Sequence, residues 1–147
     1  MKVDIKRDPG NDELLVEIHC RELTKEVARL ERHIRRFGAS VPARENGESV
    51  QVNVDSILYV ESVDKKTFLY TDDRVLLTEK RLYELEELLD GRDFFRCSKS
   101  VILHLNKVIR LKPELNRNIL ATLSNGEKIV VSRRYAAALK ELLGIGG

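Results

Sequence analysis

Residues 94–106 read FFRCSKSVILHLN, and the polar members of this stretch are of types that hold phosphates and read base edges. A core strand needs only the apolar run VILHL, yet Arg96, Ser98, Lys99 and Ser100 stand directly in front of it. Arg and Lys donate to guanine O6 and N7 in a major groove, and serine hydroxyls suit phosphate oxygens. The pattern recurs at two other places just outside apolar runs: Lys65 and Lys66 in VDKKT, and Ser132, Arg133 and Arg134 in SRRY. If Ser132 caps a final helix, free backbone N–H groups and the positive dipole end lie beside the two arginines, a favourable place for a phosphate. A solvated basic face is the plainer alternative, and composition leaves both open.

Other chemistries find little support. The chain has no phosphate-binding glycine loop, no HExxH, no GxSxG and no pair of carboxylates in an apolar setting. His19, His33 and His104 are scattered, so neither a catalytic role nor a cofactor is expected. Cys20 and Cys97 form no CxxC pair and have no histidine at metal-ligand spacing, which favours free thiols in a reducing cytoplasm over a disulfide. The N-terminus lacks an apolar stretch of signal-peptide length, and no tract of twenty apolar residues follows. A soluble, unexported, cytoplasmic protein is the expectation. Charge is lopsided: residues 1–90 carry 15 Lys and Arg against 20 Asp and Glu, whereas residues 91–147 carry 11 against 4. A basic C-terminal part suggests a polyanion partner.

Loops of this kind need a rigid scaffold. Short β-like runs follow one another from residue 50: VQVNV, ILYVE, TFLYT, VLL, VILHL, VIRL, ILATL and KIVV. Asn46-Gly47, Asp72-Asp73 and Asn125-Gly126 sit at hairpin-turn positions, the last read as type I′. Helices are predicted over about 79–90, capped by Thr78 and stopped by Gly91, and over about 133–143 after Ser132. Upstream, VDIKR and LLVEIHC flank DPGND and predict a β-hairpin, followed by a helix of about 24–37 with Thr24 as N-cap and Gly38 as stop. GASVPAREN reads as a linker.

The order DSILYVES, TFLYT, LTEKRLYELEELL, FFRCSKSVILHLNKVIRL, NGEKIVVSRRY and a closing helix resembles the LytTR DNA-binding domain over about residues 43–147. The resemblance implies a mainly β, α+β fold: an elongated antiparallel β architecture, here preceded by the small hairpin and helix. It also implies sequence-specific binding of double-stranded DNA by loops entering successive major grooves, as in a transcription regulator. Base contacts would then fall to Lys66 or its neighbour Lys65, to Lys99 and to Arg133, with Arg96, Ser98, Ser100, Ser132 and Arg134 against the backbone. The first two reader positions are often His and Asn in the family. Lysine donates but cannot accept, so it suits guanine or thymine acceptors better than an adenine edge. Strand alternation could instead turn Arg96 toward Glu86 or Glu87. Many relatives carry a receiver domain; about 40 residues precede the resemblance here, too few for one.

The chain thus divides into residues 1–40, a hairpin and amphipathic helix, and residues 41–147, the DNA-binding part. Leu23, Val27, Leu30, Ile34 and Phe37 form a narrow apolar stripe on that helix. It either packs on the chain's own hairpin or pairs with a second copy, giving a homodimer on repeated half-sites. By resemblance alone, an inhibitory membrane protein is a further partner. The rival to DNA binding is a protein-interaction module whose basic loops dock an acidic partner. RNA binding ranks lower, because the loops lack exposed aromatics for stacking single-stranded bases.

Overall fold

The computed structural model describes residues 1–144 as three α-helices and ten β-strands. Helix α1 spans Lys25–Arg36, and the side chain of its N-cap Thr24 accepts from the Val27 N–H at 3.3 Å. Gly38, at φ 74°, turns the chain out of the helix in the left-handed conformation that glycine adopts without penalty. Strands β1 (Ser40–Glu45) and β2 (Glu48–Asn53) then form a hairpin about Asn46-Gly47. Both turn residues have positive φ, as a type I′ turn requires.

β1 occupies the segment expected to be a linker. Its Val41 and Ala43 are buried, and it pairs with β2 along its whole length. The glycine, alanine, serine and proline in this stretch hid the strand. On its other side β1 meets β5 (Val75–Thr78) through a single pair, Arg44 with Leu77. Pro42 has no N–H to donate there, and its carbonyl is taken instead by the Thr78 hydroxyl at 2.8 Å.

The larger sheet is completed by β3 (Tyr59–Val63), β4 (Lys66–Tyr70), β6 (Phe94–Arg96) and β7 (Val101–His104), in the order β2-β1-β5-β4-β3-β7-β6, with all its pairs antiparallel. A smaller antiparallel sheet orders β10 (Lys128–Val131), β9 (Ile119–Leu123) and β8 (Val108–Pro113). Alternation along the central strands feeds two cores. Val60, Leu69, Leu76 and Ile102 join Leu82, Leu85 and Leu89 of helix α2 (Leu82–Leu88) and its C-cap in one. Tyr59, Leu103 and Val101 join Ala121 and Leu123 of β9 and Leu139 of helix α3 (Arg133–Leu143) in the other. All four residues of β7 are buried, because both of its faces are covered. The result is the mostly antiparallel α+β fold that the sequence predicts.

Three local features differ from expectation. α2 begins at Leu82, not at 79; the Thr78 hydroxyl accepts from the Lys80 N–H, and the Glu84 carboxylate accepts from the Arg81 N–H at 3.0 Å to start the helix. Asn125 does not adopt positive φ, so the β9–β10 turn is not type I′. Gly126, at φ 91°, supplies the left-handed residue after a turn closed from its N–H to the Leu123 carbonyl, the three-residue alternative. Phe94–Arg96 is a strand, absent from the β-like runs that the sequence shows.

The N-terminal hairpin does not form. The Asn11 N–H donates to the Asp8 carbonyl at 3.1 Å, but neither flanking run is a strand and residues 1–23 are all exposed. Gly10 lies outside the left-handed region, and Pro9 cannot enter it, so the turn is not one of the primed types that match strand twist. The apolar stripe of α1 consequently finds no hairpin to pack on. Val27, Leu30 and Ile34 are half-buried, while Leu23 and Phe37 remain 91% and 78% exposed.

Charge anchors α1 instead. Arg36 is buried, with Nε 2.9 Å from Asp55 and an Nη 3.3 Å from Asp93. Arg32 is ion-paired to Asp93 at 2.8 Å, although its N–H is not aligned for a hydrogen bond. Arg92 closes the joint by donating to the Arg35 carbonyl at 3.0 Å. Among the described residues, no helix is long and apolar enough to cross a membrane.

Candidate nucleic-acid interface

The three basic stretches meet at one end of the molecule. The β3–β4 hairpin turns through Asp64 and Lys65, both at positive φ, between the paired residues Val63 and Lys66. This two-residue turn carries neither Asn nor Gly, so its type could not be read from sequence. It leaves Lys65 and Lys66 exposed at the hairpin tip. At the base of that tip, the Ser62 N–H donates to the Ser100 carbonyl at 2.9 Å.

Ser100 closes the second loop, between β6 and β7. Pairing of Arg96 with Ile102 sets its mouth, and the Cys97 N–H donates to the Val101 carbonyl at 3.0 Å. The Ser98 hydroxyl accepts from the Ser100 N–H at 3.3 Å. Arg96 folds over this loop: its guanidinium donates to the Ser98 carbonyl at 2.8 Å, to the Lys99 carbonyl, and to Glu86 of α2. Its side chain therefore points at its own chain, and Lys99 is left as the exposed cation of the loop. Beneath, the Cys97 thiol is buried and its pKa is pushed up to about 12 by desolvation, so it is a packed thiol, not a reactive one.

The third stretch is tied to the second. The Ser132 N–H donates to the Cys97 carbonyl at 2.9 Å. α3 begins at Arg133, and the Ser132 side chain makes no capping bond. That role passes to Asn118, whose side-chain oxygen accepts from the Arg133 N–H at 2.8 Å. One of the helix N–H groups expected to be free for a phosphate is thus already taken. Arg133 and Arg134 are both exposed, with Arg134 5.7 Å from the Tyr135 ring centroid. Asn118 sits in the β8–β9 turn beside Arg117, an exposed residue at φ 71°. Neither was singled out in the sequence, although ELNRN is typical turn chemistry.

The site is therefore a hydrogen-bonded frame bearing exposed charges. Lys65, Lys66, Lys99, Arg133 and Arg134 form no ion pair among the described residues, whereas Arg96 does. Ser98, Ser100 and Ser132 lie half-buried between them. At the opposite end, the Tyr59 ring stacks on Tyr70 at 4.2 Å and its hydroxyl donates to Glu127 at 2.8 Å, locking the two sheets together. Burial, and then the Glu127 carboxylate, raise the Tyr59 pKa, so the phenol stays protonated.

The family model described as the LytTr DNA-binding domain matches residues 47–144, two-thirds of the chain. The chain belongs to the LytTr DNA-binding domain family. The matched span covers all three loops and begins in the β1–β2 turn, so α1 and β1 lie outside it. The sensory transduction protein LytT of Bacillus anthracis is 31% identical over 140 residues, which is 95% of this chain and 52% of that protein. The transcriptional regulatory protein YpdB of Escherichia coli K12 is 28% identical over 91 residues, 61% of this chain and 37% of that protein. This chain spans about half the length of the curated relatives it matches, or less. Among solved structures, the LytTr DNA-binding domain of a Bacillus cereus response regulator superposes with a TM-score of 0.69 at 29% identity, covering 73% of this chain and 98% of that one.

Proposed function

We propose that this chain is a transcription regulator that binds double-stranded DNA sequence-specifically by inserting the three loops into the major groove. The observation carrying the reading is that the loops bearing Lys65 and Lys66, Lys99, and Arg133 are joined main chain to main chain at one end of the fold. A frame so connected holds three donors at fixed spacing, as base readout demands. Lys66 (or Lys65), Lys99 and Arg133 read base edges. Ser98, Ser100, Ser132 and Arg134 lie along the phosphates. Arg96 acts through its hold on the Ser98 and Lys99 carbonyls and is a positioning residue in this reading.

Residues 41–147 form the DNA-binding unit and residues 1–40 the dimerisation or regulatory piece. The protein works in the cytoplasm as a homodimer on repeated half-sites, without catalytic activity. A restraining membrane protein is a further partner suggested by family resemblance, for which the exposed Leu23 and Phe37 offer apolar contacts.

Duplex binding titrated against salt tests the proposal. Affinity for a selected sequence should fall with a log–log slope of about −0.9 per phosphate neutralised, and should exceed that for random duplex by roughly 10³-fold or more. Equal affinity for both duplexes sinks the sequence-specific reading. Absence of duplex binding, with retention of an acidic protein, would transfer the basic loops to protein docking.

A further inference from the structure

Residues 1–18 hold a concentration of apolar side chains that nothing in the described chain covers. Met1, Val3, Ile5, Leu14, Val16 and Ile18 are all exposed. The Asp8–Asn11 turn relates the two flanking runs about its centre, so antiparallel register would oppose Met1 to Ile18, Val3 to Val16, and Ile5 to Leu14. All six then fall on one face, since residues two apart share a face of a strand. The intervening positions oppose Lys2 to Glu17 and Lys6 to Glu13 on either side of the unmatched Asp4 and Leu15, and Arg7 meets Asp12 beside the turn. Such cross-strand matching is the pattern of a designed ladder. Yet no ladder forms within the chain.

The turn supplies the reason. Pro9-Gly10 is not a primed turn, and unprimed turns splay the strands that leave them. The two arms therefore match each other but are poorly joined to each other. The first carries Lys2, Lys6 and Arg7 against Asp4; the second carries Asp12, Glu13 and Glu17 with no Lys or Arg until Arg21. An acidic strand of this same sequence is what the basic arm fits. Lipid is a poor alternative occupant, because acidic residues outnumber basic ones over residues 1–18 and an anionic surface would repel them.

We propose that residues 1–18 exchange with a second copy of this chain, the basic arm of each pairing antiparallel with the acidic arm of the other. Two-fold symmetry forms both ladders at once and brings their apolar faces together. Each ladder thereby gains the cover that a lone two-stranded hairpin lacks. The arms lead through residues 19–24 into α1, which Arg36 fastens to Asp55 and Asp93, so the exchange tethers two DNA-reading ends to each other. This rests on the dimeric reading above and names the segment and partner chemistry that produce it.

Sedimentation of the full chain over a range of concentrations tests it. Wild type should be a dimer, and Val16→Asp should be monomeric with unchanged thermal unfolding of the β domain. Leu15→Asp, on the opposite face, should remain dimeric. Lys6→Glu and Glu13→Lys should each weaken the dimer about tenfold, since symmetry counts each pair twice, and the double exchange should restore it. A monomeric wild type, equal effects at positions 15 and 16, or a double exchange no better than either single overturns the proposal. So does a solution monomer that binds phosphatidylglycerol vesicles through Val16. The two readings fail separately: a monomeric wild type that still binds duplex sinks the arm alone, whereas a dimer without duplex affinity supports the arm and sinks the DNA reading.

Discussion

Ser132 and Cys97 are 35 residues apart in sequence and share one main-chain hydrogen bond, N to O at 2.9 Å. Arg133 follows the donor and Lys99 lies two residues beyond the acceptor, so the two cations stand on opposite sides of a single joint. Such a joint is insensitive to either side chain. Lys99→Ala and Arg133→Ala should therefore preserve fold while each costs about 1–3 kcal/mol on the preferred duplex. Paired titrations on preferred and random duplexes check this, with circular dichroism as the fold control. Equal losses on both duplexes reassign the two residues to phosphates.

Arg96 and Arg134 should separate by salt dependence. Arg134 is exposed and forms no ion pair among the described residues, so Arg134→Ala should reduce the salt slope by roughly one unit on any sequence. Arg96 is turned inward onto Glu86 and the loop carbonyls. Arg96→Ala should leave the slope unchanged but loosen the Lys99 loop, weakening preferred binding more than random binding. Arg96→Lys should not rescue it, because one ammonium cannot reproduce the guanidinium fork. A slope lowered by one unit in Arg96→Ala would return this residue to the phosphate set.

The α1 anchor predicts local instability. Arg36→Met removes the guanidinium that bridges Asp55 and Asp93; Arg32 still pairs with Asp93 and Asp55 reaches solvent, so the loss should be about 1–3 kcal/mol. Because α1 contributes nothing to either buried core cluster, the loss should appear as its undocking. Hydrogen exchange should speed across Lys25–Arg36 while β3 and β7 keep their protection. Adding Asp93→Asn should deepen the loss, because it also takes the partner from Arg32, although asparagine tolerates the φ of 73° that Asp93 adopts. Uniform acceleration across α1 and β7 would show that the anchor belongs to the global fold.

His104 should make stability fall in mild acid. Its ring is fully buried, stacked on Phe94 at 4.2 Å, with Nδ1–H donating to the Ile57 carbonyl at 2.8 Å and Nε2 unpartnered. Burial first, and the nearby Arg36 charge, lower its pKa to about 4 from 6.5. Between these values the unfolded chain binds the extra proton, so stability is complete above pH 6.5 and declines as pH falls toward 4. The loss attributable to this ring is about 2 kcal/mol by pH 5. Urea unfolding of wild type and His104→Phe from pH 7.5 to 4.5 isolates it: wild type should lose stability relative to the variant as pH falls, whichever is the more stable at pH 7.5. Parallel curves would place the acid sensitivity in the carboxylates.

Much of this arrangement was legible before any coordinates. Strands β2 to β5 and β7 to β10 announce themselves by β-branched and aromatic runs between turn residues. α1 shows its cap, its stop and its stripe, and the three basic loops stand in recognisable order. These are local signals, carried by neighbours in sequence. β1 escaped because Pro42 and its small neighbours resemble a linker, and only the registered ladder with β2 and the Thr78 hydroxyl on the Pro42 carbonyl make it a strand. The hairpin expected over residues 1–20 fails for the converse reason: its pattern is right, but an unprimed turn and an uncovered apolar face leave it unpaired within one chain. Arg36 looked like one more solvated charge, and burial against Asp55 and Asp93 made it the anchor of α1. Residue types and their order set which side chains could contact DNA; the long-range bonds from Ser62 to Ser100 and from Ser132 to Cys97 decided that they stand together. Contacts between distant residues depend on how the sheets close over their cores, and no short window of sequence contains that information.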